Sequence, residues 1–217
     1  MSDIAAIYRD RFEKAGLERR ERVWKVLCQH FFNRRIPPNA TVLDLACGYG
    51  EFINNISAAK RMAIDLNPDA SEHLAEGVEF KRMAATELGS LGDEIVDVVF
   101  TSNFLEHLSS KDECNKVFAS VRKILRPKGR FIVMGPNIRY AYREYWDFYD
   151  HCLPLSHLSL AEGLRSSGFQ IEENIARFMP YTMANAAPAH DFLVRAYLAL
   201  PFAWRLLGKQ FLVTAIR

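Results

Sequence analysis

Short apolar runs alternate along the chain with longer segments in which apolar residues recur every three or four positions. Runs bounded by turn residues predict buried strands, and the longer segments predict helices with one apolar face. The predicted strands are 40–45, 61–65, 78–83, 97–101, 130–134, 169–174 and 210–216. Helical periodicity extends over 3–33, and the further predicted helices are 51–59, 68–76, 111–125 and 160–168. This alternation predicts an α/β fold with a parallel sheet and helices on both faces.

A tight loop of small residues follows the first predicted strand. The apolar strand over 41–45 leads into Ala46, Gly48 and Gly50. Small residues at such a place let backbone N–H groups approach a ligand closely, because few Cβ atoms intervene. The next strand ends about twenty residues further on at a carboxylate, Asp65, which fits an adenosine ligand whose ribose hydroxyls donate to the acid.

The pattern Asp44-x-Ala46-x-Gly48-x-Gly50, followed by Asp65, resembles the S-adenosylmethionine site of the class I methyltransferases. The family usually has glycine where Ala46 stands, and alanine is a common variant. The spacing does not match Gly-x-Gly-x-x-Gly, the pattern of dinucleotide-binding proteins. The resemblance therefore implies S-adenosylmethionine as the cofactor, with S-adenosylhomocysteine as its product.

Two later turns also resemble the family. Residues 126–130, Arg-Pro-Lys-Gly-Arg, are similar to its turn before strand five, and residues 166–169, Ser-Ser-Gly-Phe, to its turn before strand six. The resemblance covers the chain from about Ala40 to the C-terminus. It implies a Rossmann-like methyltransferase fold, in which a sheet of seven mostly parallel strands has its seventh strand antiparallel between the fifth and sixth.

The resemblance also implies which loops hold the cofactor, because ligands of open α/β sheets bind beyond the carboxyl ends of the strands. The backbone of 46–50 would meet the methionine portion, and Asp65 the ribose. Asp44 would hold the loop through backbone N–H groups rather than touch the cofactor. The other implied contacts are Leu66 and Asn67, then Ala84, Ala85 and Thr86 at the adenine edge, and Asn103 and Phe104 facing the methionine. Thr86 and Glu87 equally fit a helix start.

An N-terminal tyrosine closes over the cofactor in many small-molecule relatives, and residues 7–12 resemble that segment. Tyr8 would then cover the cofactor, and Arg11 would pair with the methionine carboxylate. The alternative is a helix that packs on the sheet edge with its arginines in solvent.

Three histidines are candidates for the catalytic base. Methyl transfer to a hydroxyl requires an aligned acceptor and removal of its proton, and histidine titrates near neutrality. His151 and His157 lie in the aromatic loop 145–157, and His107 in a Glu-His pair that resembles one found after strand four in many relatives. The alternatives are structural: His107 at a helix start, the aromatic residues as apolar cover, and His157 as a helix cap.

The sequence predicts one methyltransferase domain over 1–217, with an N-terminal helical cap over 1–36 and a helical insertion over 175–209. The insertion is strongly apolar and carries Arg195, Arg205 and Lys209. It could be a lid over a hydrophobic acceptor, a homodimer surface, or a patch that touches the inner membrane. A helix pair that simply completes the core is the fourth interpretation.

Composition removes several other classes of protein. A chain of 217 residues with 49% hydrophobic residues, 25% charged residues and net charge +2 is typical of a globular protein and has no long basic face for nucleic acid. Four widely spaced cysteines and an N-terminus without signal-peptide character favour a cytoplasmic protein. No set of histidines, cysteines and acids has metal-ligand spacing, so no metal is predicted.

These observations predict an S-adenosylmethionine-dependent methyltransferase of a small molecule, acting on oxygen rather than nitrogen. A loose resemblance over Pro136-Asn137 and the aromatic loop favours a sugar or lipid-linked glycan as the acceptor. A quinone or another aromatic small molecule is the alternative acceptor. A non-catalytic protein that binds S-adenosylmethionine is the alternative from a different class.

Overall fold

Seven strands form one sheet in a computed structural model that describes residues 14–181 and 190–217. They are β1 (Thr41–Leu45), β2 (Lys60–Asp65), β3 (Val78–Arg82), β4 (Val96–Ser102), β5 (Leu125–Pro136), β6 (Gln170–Ile175) and β7 (Gln210–Ile216). Their order is β3-β2-β1-β4-β5-β7-β6. Among these described strands, β7 alone runs opposite to the other six, and it pairs antiparallel with both β5 and β6. The predicted fold, including the position of the seventh strand, is confirmed.

Helices cover the sheet on both faces. The described α-helices are α1 (Lys14–His30), α2 (Lys111–Ile124), α3 (Ile138–Ala141), α4 (His157–Ser166), α5 (Asp191–Ala199) and α6 (Pro201–Leu207), and the short 3₁₀ helices are Phe32–Arg34, Pro68–His73, Ala85–Leu91, Leu105–His107 and Tyr145–Asp147. Local sequence explains α2 well. Its N-cap, Ser110, accepts a hydrogen bond from the Glu113 N–H, acids occupy the first turn, and bases occupy the last.

Alternation along the strands divides the core into two layers. In β1, Val42 packs in the layer with α1, whereas Leu43 and Leu45 pack in the layer with α2 and α4. This follows because successive side chains of a strand point to opposite faces. Because the parallel strands run in the same direction, they all end at one edge of the sheet, where the loops that follow them meet.

Aromatic rings fasten α1 and the insertion to the first layer. Trp24 packs edge-on against Phe52 and Phe100, whose rings stack with centroids 3.7 Å apart. Phe178, from the insertion, lies against Phe31 of α1, with centroids 4.6 Å apart. One side of the insertion thus completes the core.

Two local predictions were wrong. Residues 51–55 form hydrogen-bonded turns instead of the predicted helix over 51–59. Asn55 donates its side-chain amide to the Glu51 carbonyl and so competes with a helical ladder. Asn54 bonds to His73 and Ala75, which ties the segment to the loop after β2. The segment 126–129, expected as a turn, lies inside β5, where the pairing with β4 shifts register and Lys128 has a φ of 64°.

Candidate functional site

The loop after β1 has the backbone conformation that its small residues allow. Ala46, Gly48 and Gly50 have φ angles of 58°, 55° and 78°, in the left-handed region where glycine costs least. The N–H of Cys47 donates to the Ile64 carbonyl over 3.0 Å, which ties the loop to the end of β2. The loop therefore places its small residues at the carboxyl edge of the sheet, where the methionine end of the cofactor is predicted to bind.

Asp65 joins this loop to the one after β2. Its carboxylate accepts hydrogen bonds from the N–H of Gly48 and of Asn67, both over 2.8 Å. Burial raises the pKa of Asp65, and the donated N–H groups oppose that rise. Each carboxylate oxygen can accept a second hydrogen bond, so the residue can serve a ribose hydroxyl as well as the backbone.

Asn67 presents a buried donor beside Asp65. Its Oδ1 accepts a hydrogen bond from the Asp69 N–H over 3.0 Å, which fixes the orientation of the amide. Its Nδ2 is buried and has no hydrogen-bond partner within the described part of the chain. An unpaired buried donor is costly, so this nitrogen fits a ligand with an acceptor atom. A nucleoside such as the adenosine of S-adenosylmethionine carries such atoms.

Asp44 lies under the loop and is fully enclosed by protein. It accepts a backbone hydrogen bond from Ile53. Burial raises the pKa of Asp44 well above its usual range, and the charges of Glu51 and Asp65 raise it further. A cationic ligand would relieve this accumulation of negative charge. The sulfonium of S-adenosylmethionine is such a cation.

Replacing Asp44 by asparagine is expected to stabilise the protein at neutral pH by about 0.5–2 kcal/mol. The folded-state pKa of this acid is raised, so its ionisation destabilises the fold as pH increases from about 4. Asparagine keeps an acceptor for the Ile53 N–H and carries no charge. Thermal unfolding of both proteins between pH 4 and pH 8 should show a gain that vanishes near pH 4. A gain of equal size at every pH would contradict this account.

The remaining predicted cofactor contacts lie around the same edge. Leu66 is half exposed beyond β2. Asn103 adopts a φ of 50° and donates its N–H to the Met134 carbonyl, so that the chain turns sharply after β4. Ala84, Ala85 and Thr86 follow β3, and Phe104 follows Asn103 in partly buried positions. Glu87 accepts a weak hydrogen bond from the Ala84 N–H over 3.4 Å, which fits its alternative interpretation as a helix-start acid.

Tyr8 and Arg11 lie outside the described residues. The described helix α1 nevertheless contacts the end of the loop after β1, because Arg20 forms an ion pair with Glu51 over 2.7 Å. The two residues stay predictions, and the segment that carries them precedes a helix that contacts the loop.

A polar cluster lies where the loops after β4 and β5 meet. The Nδ1 atom of His107 is 3.2 Å from a carboxylate oxygen of Asp150. The ring centroids of His107 and His151 are 5.0 Å apart, and Nδ1 of His151 is 2.9 Å from the Tyr145 carbonyl oxygen. Glu106, His107 and His151 offer ligand atoms that all lie within 4.8 Å of one another. The structure thus brings together side chains from two loops that are more than forty positions apart in the sequence.

Charge around His107 suits it to hold a proton. Burial lowers the pKa of His107, while the hydrogen bond that its ring donates to Asp150 and the charges of Glu106 and Asp150 raise it, and the net direction is upward. The side chain is 28% exposed, so a substrate can reach it. A partly accessible imidazole oriented by a carboxylate is the arrangement of a general base.

His157 has a different environment. It begins α4, and its Nδ1 is 2.9 Å from Nδ2 of Asn137, which also donates to the Ala176 carbonyl. Burial lowers the pKa of His157, and the nearby Arg139 lowers it further. These contacts link the loop after β5 to the end of β6, and they agree with the structural alternative for this residue.

Sequence reasoning missed Glu106, Asp150 and Tyr145 as members of the polar cluster. Glu106 was visible only as the neighbour of His107, and Asp150 only as the neighbour of His151. The structure pairs Asp150 with His107, 43 positions away in the chain. No local pattern signals a pairing over that separation.

Comparisons with known proteins agree with this geometry. Residues 43–133 match the model of a family described as a methyltransferase domain. A search of curated proteins found no match to the chain.

Solved structures with the same fold include three S-adenosylmethionine-dependent methyltransferases. One from Archaeoglobus fulgidus is 19% identical, with a TM-score of 0.66 and coverage of 91% of this chain and 94% of its own. One from Thermotoga maritima, described as a possible histamine N-methyltransferase, is 14% identical, with a TM-score of 0.71 and coverage of 100% and 99%. One from Mesorhizobium loti is 18% identical, with a TM-score of 0.58 and coverage of 85% and 94%.

The strand order and the loop after β1 are those of the class I, Rossmann-like methyltransferase fold, and residues 43–133 match a methyltransferase domain. The residues around Asp65 fit S-adenosylmethionine as the cofactor.

Proposed function

We propose that this methyltransferase acts on a hydroxyl of a small molecule, and that the acceptor is a sugar or a lipid-linked glycan. The observation that carries the proposal is the pairing of His107 with Asp150 at the carboxyl edge of the sheet. An alcohol needs its proton removed during methylation, and a carboxylate-oriented histidine supplies that function. Bound S-adenosylmethionine supplies a methyl group already activated by its sulfonium.

In this proposal, His107 takes the proton of the acceptor hydroxyl on Nε2. Asp150 contacts Nδ1, holds the ring in that tautomer and stabilises the imidazolium that forms. Bound S-adenosylmethionine would give its methyl group to the acceptor oxygen and would leave as S-adenosylhomocysteine. The candidate role of His151 is then to support the ring of His107 in the same cluster.

Aromatic side chains near the cluster support a ring-shaped acceptor. Phe148 stacks on His151 with centroids 4.9 Å apart, and Tyr181 lies 6.4 Å from the same ring. Trp146 and Tyr149 are exposed on the same loop. Apolar faces of this kind line small-molecule sites and can cover a sugar ring or a quinone.

The outer face of α5 and α6 supports a lipid-linked acceptor. Its large apolar side chains remain exposed, with Phe192 at 75% and Phe202 at 71%, together with Leu193, Leu200, Leu206 and Leu207. A groove of about 400 Å³ beside them is lined by Arg34 and Arg195. Within the described residues, no helix has the length and apolar character needed to cross a bilayer. Exposed aromatic and aliphatic residues next to basic ones fit a helix that lies on an anionic membrane surface.

Vesicle binding tests this part of the proposal. The protein is expected to sediment with vesicles that contain anionic phospholipid, more at low salt than at high salt. Replacing Phe192 and Phe202 by serine should remove most of that binding, because exposed apolar area drives insertion. Leu158→Ser on α4 is the matched control, since Leu158 is exposed outside the patch. A stable dimer that the double variant disrupts, without vesicle binding, would contradict the membrane assignment and identify a homodimer surface.

Acceptor screening tests the function itself. Transfer of labelled methyl from S-adenosylmethionine should be measured with a panel of sugars, polyprenyl-linked sugars and reduced quinones. Methylation of a sugar hydroxyl would support the proposal. Methylation of quinols alone would favour the alternative acceptor, for which the stacked rings around His151 are the supporting observation. Cofactor binding with no acceptor methylated would favour a non-catalytic S-adenosylmethionine-binding protein.

A further inference from the structure

Two imidazoles and a carboxylate converge at the junction of the loops after β4 and β5. A ligand atom from each of Glu106, His107 and His151 lies within 4.8 Å of the other two. In a tetrahedral site with metal–ligand bonds near 2.1 Å, ligand atoms are about 3.4 Å apart. Small rotations of these side chains would close the remaining gap. We propose that this cluster binds one divalent transition-metal ion.

The backbone holds the three side chains together. The carbonyl oxygen of Glu106 accepts hydrogen bonds from the N–H of Cys152 over 2.7 Å and of Leu153 over 3.0 Å. Glu106 and His107 are consecutive, and His151 directly precedes Cys152. The two loops are therefore joined by main-chain hydrogen bonds at the place where the ligands meet. Such a scaffold reduces the conformational entropy lost when an ion binds.

The hydrogen bonds of the two rings resemble those of metal-binding histidines. Nδ1 of His107 contacts the carboxylate of Asp150, and Nδ1 of His151 contacts the Tyr145 carbonyl oxygen. Metal ligands of this type commonly donate one ring N–H to a carboxylate or a carbonyl, which fixes the tautomer and directs the other nitrogen at the ion. Nε2 of each ring is then the nitrogen that would bind.

The donor set selects the class of ion. Two imidazoles with one carboxylate suit Zn²⁺, Co²⁺ or Fe²⁺, whereas Mg²⁺ and Ca²⁺ prefer oxygen ligands. Three protein ligands leave a position for a water or a substrate oxygen. The hydroxyl of Tyr145 is buried without a hydrogen-bond partner in the described part of the chain. Burial raises its pKa, and the charge of Glu106 raises it further. It could donate to an oxygen held on the ion.

The catalytic role of this ion rests on the proposed function, but its binding does not. An acceptor hydroxyl on a bound ion has a lowered pKa, so the ion would replace His107 as the group that activates the acceptor. With the ion absent, His107 and Asp150 retain the base function described above. Binding and methyl transfer are therefore measured separately.

The test uses untagged, chelator-treated full-length protein and Co²⁺ as the probe. Visible absorption of Co²⁺ should saturate at one ion per chain, and Zn²⁺ should displace it. His107→Gln and His151→Gln are expected to weaken binding by at least about tenfold, and Asp150→Asn by about 10- to 100-fold through the hydrogen bond to His107. His30→Gln, a histidine at the end of α1, is the control and should bind like wild type.

Asp150 is partly exposed, so its variant keeps the test usable if a ligand variant fails to fold. Absence of Co²⁺ absorption in the folded wild type, or equal affinity in all variants, would overturn the inference. Methyl transfer by a protein that binds no ion would leave the proposed function intact. Ion binding without methylation of any acceptor would support the metal site and count against the proposed function.

Discussion

Replacing His107 by glutamine is expected to slow methyl transfer by about 10²- to 10⁴-fold, which is the usual range for a general base. The side chain lies at the carboxyl edge of the sheet, is partly accessible, and is oriented by Asp150. The glycine loop and Asp65 do not depend on it, so affinity for S-adenosylmethionine should stay close to wild type. Single-turnover rates and calorimetric titration with the cofactor separate the two effects.

The pH profile distinguishes a base from a structural histidine. Burial lowers the pKa of His107 and the acids around it raise it, with a net rise above its ordinary value of about 6.5. A base must be neutral, so kcat/KM should increase with pH through a midpoint above 6.5. Asp150→Asn removes raising interactions and should move the midpoint to lower pH, with a lower plateau. His30→Gln should change neither, and an unchanged profile in Asp150→Asn would contradict the assignment.

Replacing Asp65 by alanine is expected to weaken S-adenosylmethionine binding by about 100-fold or more. The carboxylate accepts hydrogen bonds from Gly48 and Asn67, so its loss releases the loops after β1 and β2 and removes the predicted acceptor for the ribose hydroxyls. Hydrogen bonds to charged groups contribute about 1.5–3 kcal/mol each, and about 1.4 kcal/mol corresponds to a tenfold change in affinity. Calorimetry with S-adenosylmethionine and S-adenosylhomocysteine measures the effect directly.

Two further variants make that experiment specific. Asp65→Asn keeps one acceptor oxygen and should bind the cofactor with intermediate affinity. Asp93→Ala removes an exposed carboxylate that pairs with Lys123 and should leave the affinity unchanged. Wild-type affinity in Asp65→Ala would contradict the assignment of the ribose site to this residue.

The strands and the cofactor loop could be predicted from sequence because their signals are local. An apolar run such as 41–45 must be buried, and the small residues after it permit the left-handed φ angles that the loop adopts. The helix predicted over 51–59 was wrong, in part because Asn54 is bonded to His73 and Ala75 in the loop after β2. Asn54 and Asn55 use their side chains to bond to the backbone, and periodicity does not reveal that competition.

The insertion over 175–209 shows the limit of composition. Its apolar residues predicted a lid, a dimer surface, a membrane patch or a core element. In the structure, some of these apolar residues are buried and others are exposed. Phe178 is fully buried against Phe31, whereas Phe192 and Phe202 are exposed on the other side of the insertion. Tertiary packing determines which face of a helix is buried, and an apolar composition is compatible with either a core or an exposed surface. The function of the exposed side stays a proposal.

The sequence by itself determined the fold class and predicted the cofactor, because a strand, a glycine loop and a distant acid are each encoded within a few residues. Only the tertiary structure decided which polar groups work together. Asp150 contacts His107 from 43 positions away, and the carbonyl oxygen of Glu106 accepts hydrogen bonds from the N–H groups of Cys152 and Leu153, next to His151. Such contacts depend on how two loops from adjacent strands meet, and that meeting is determined by packing of the whole sheet rather than by spacing along the chain.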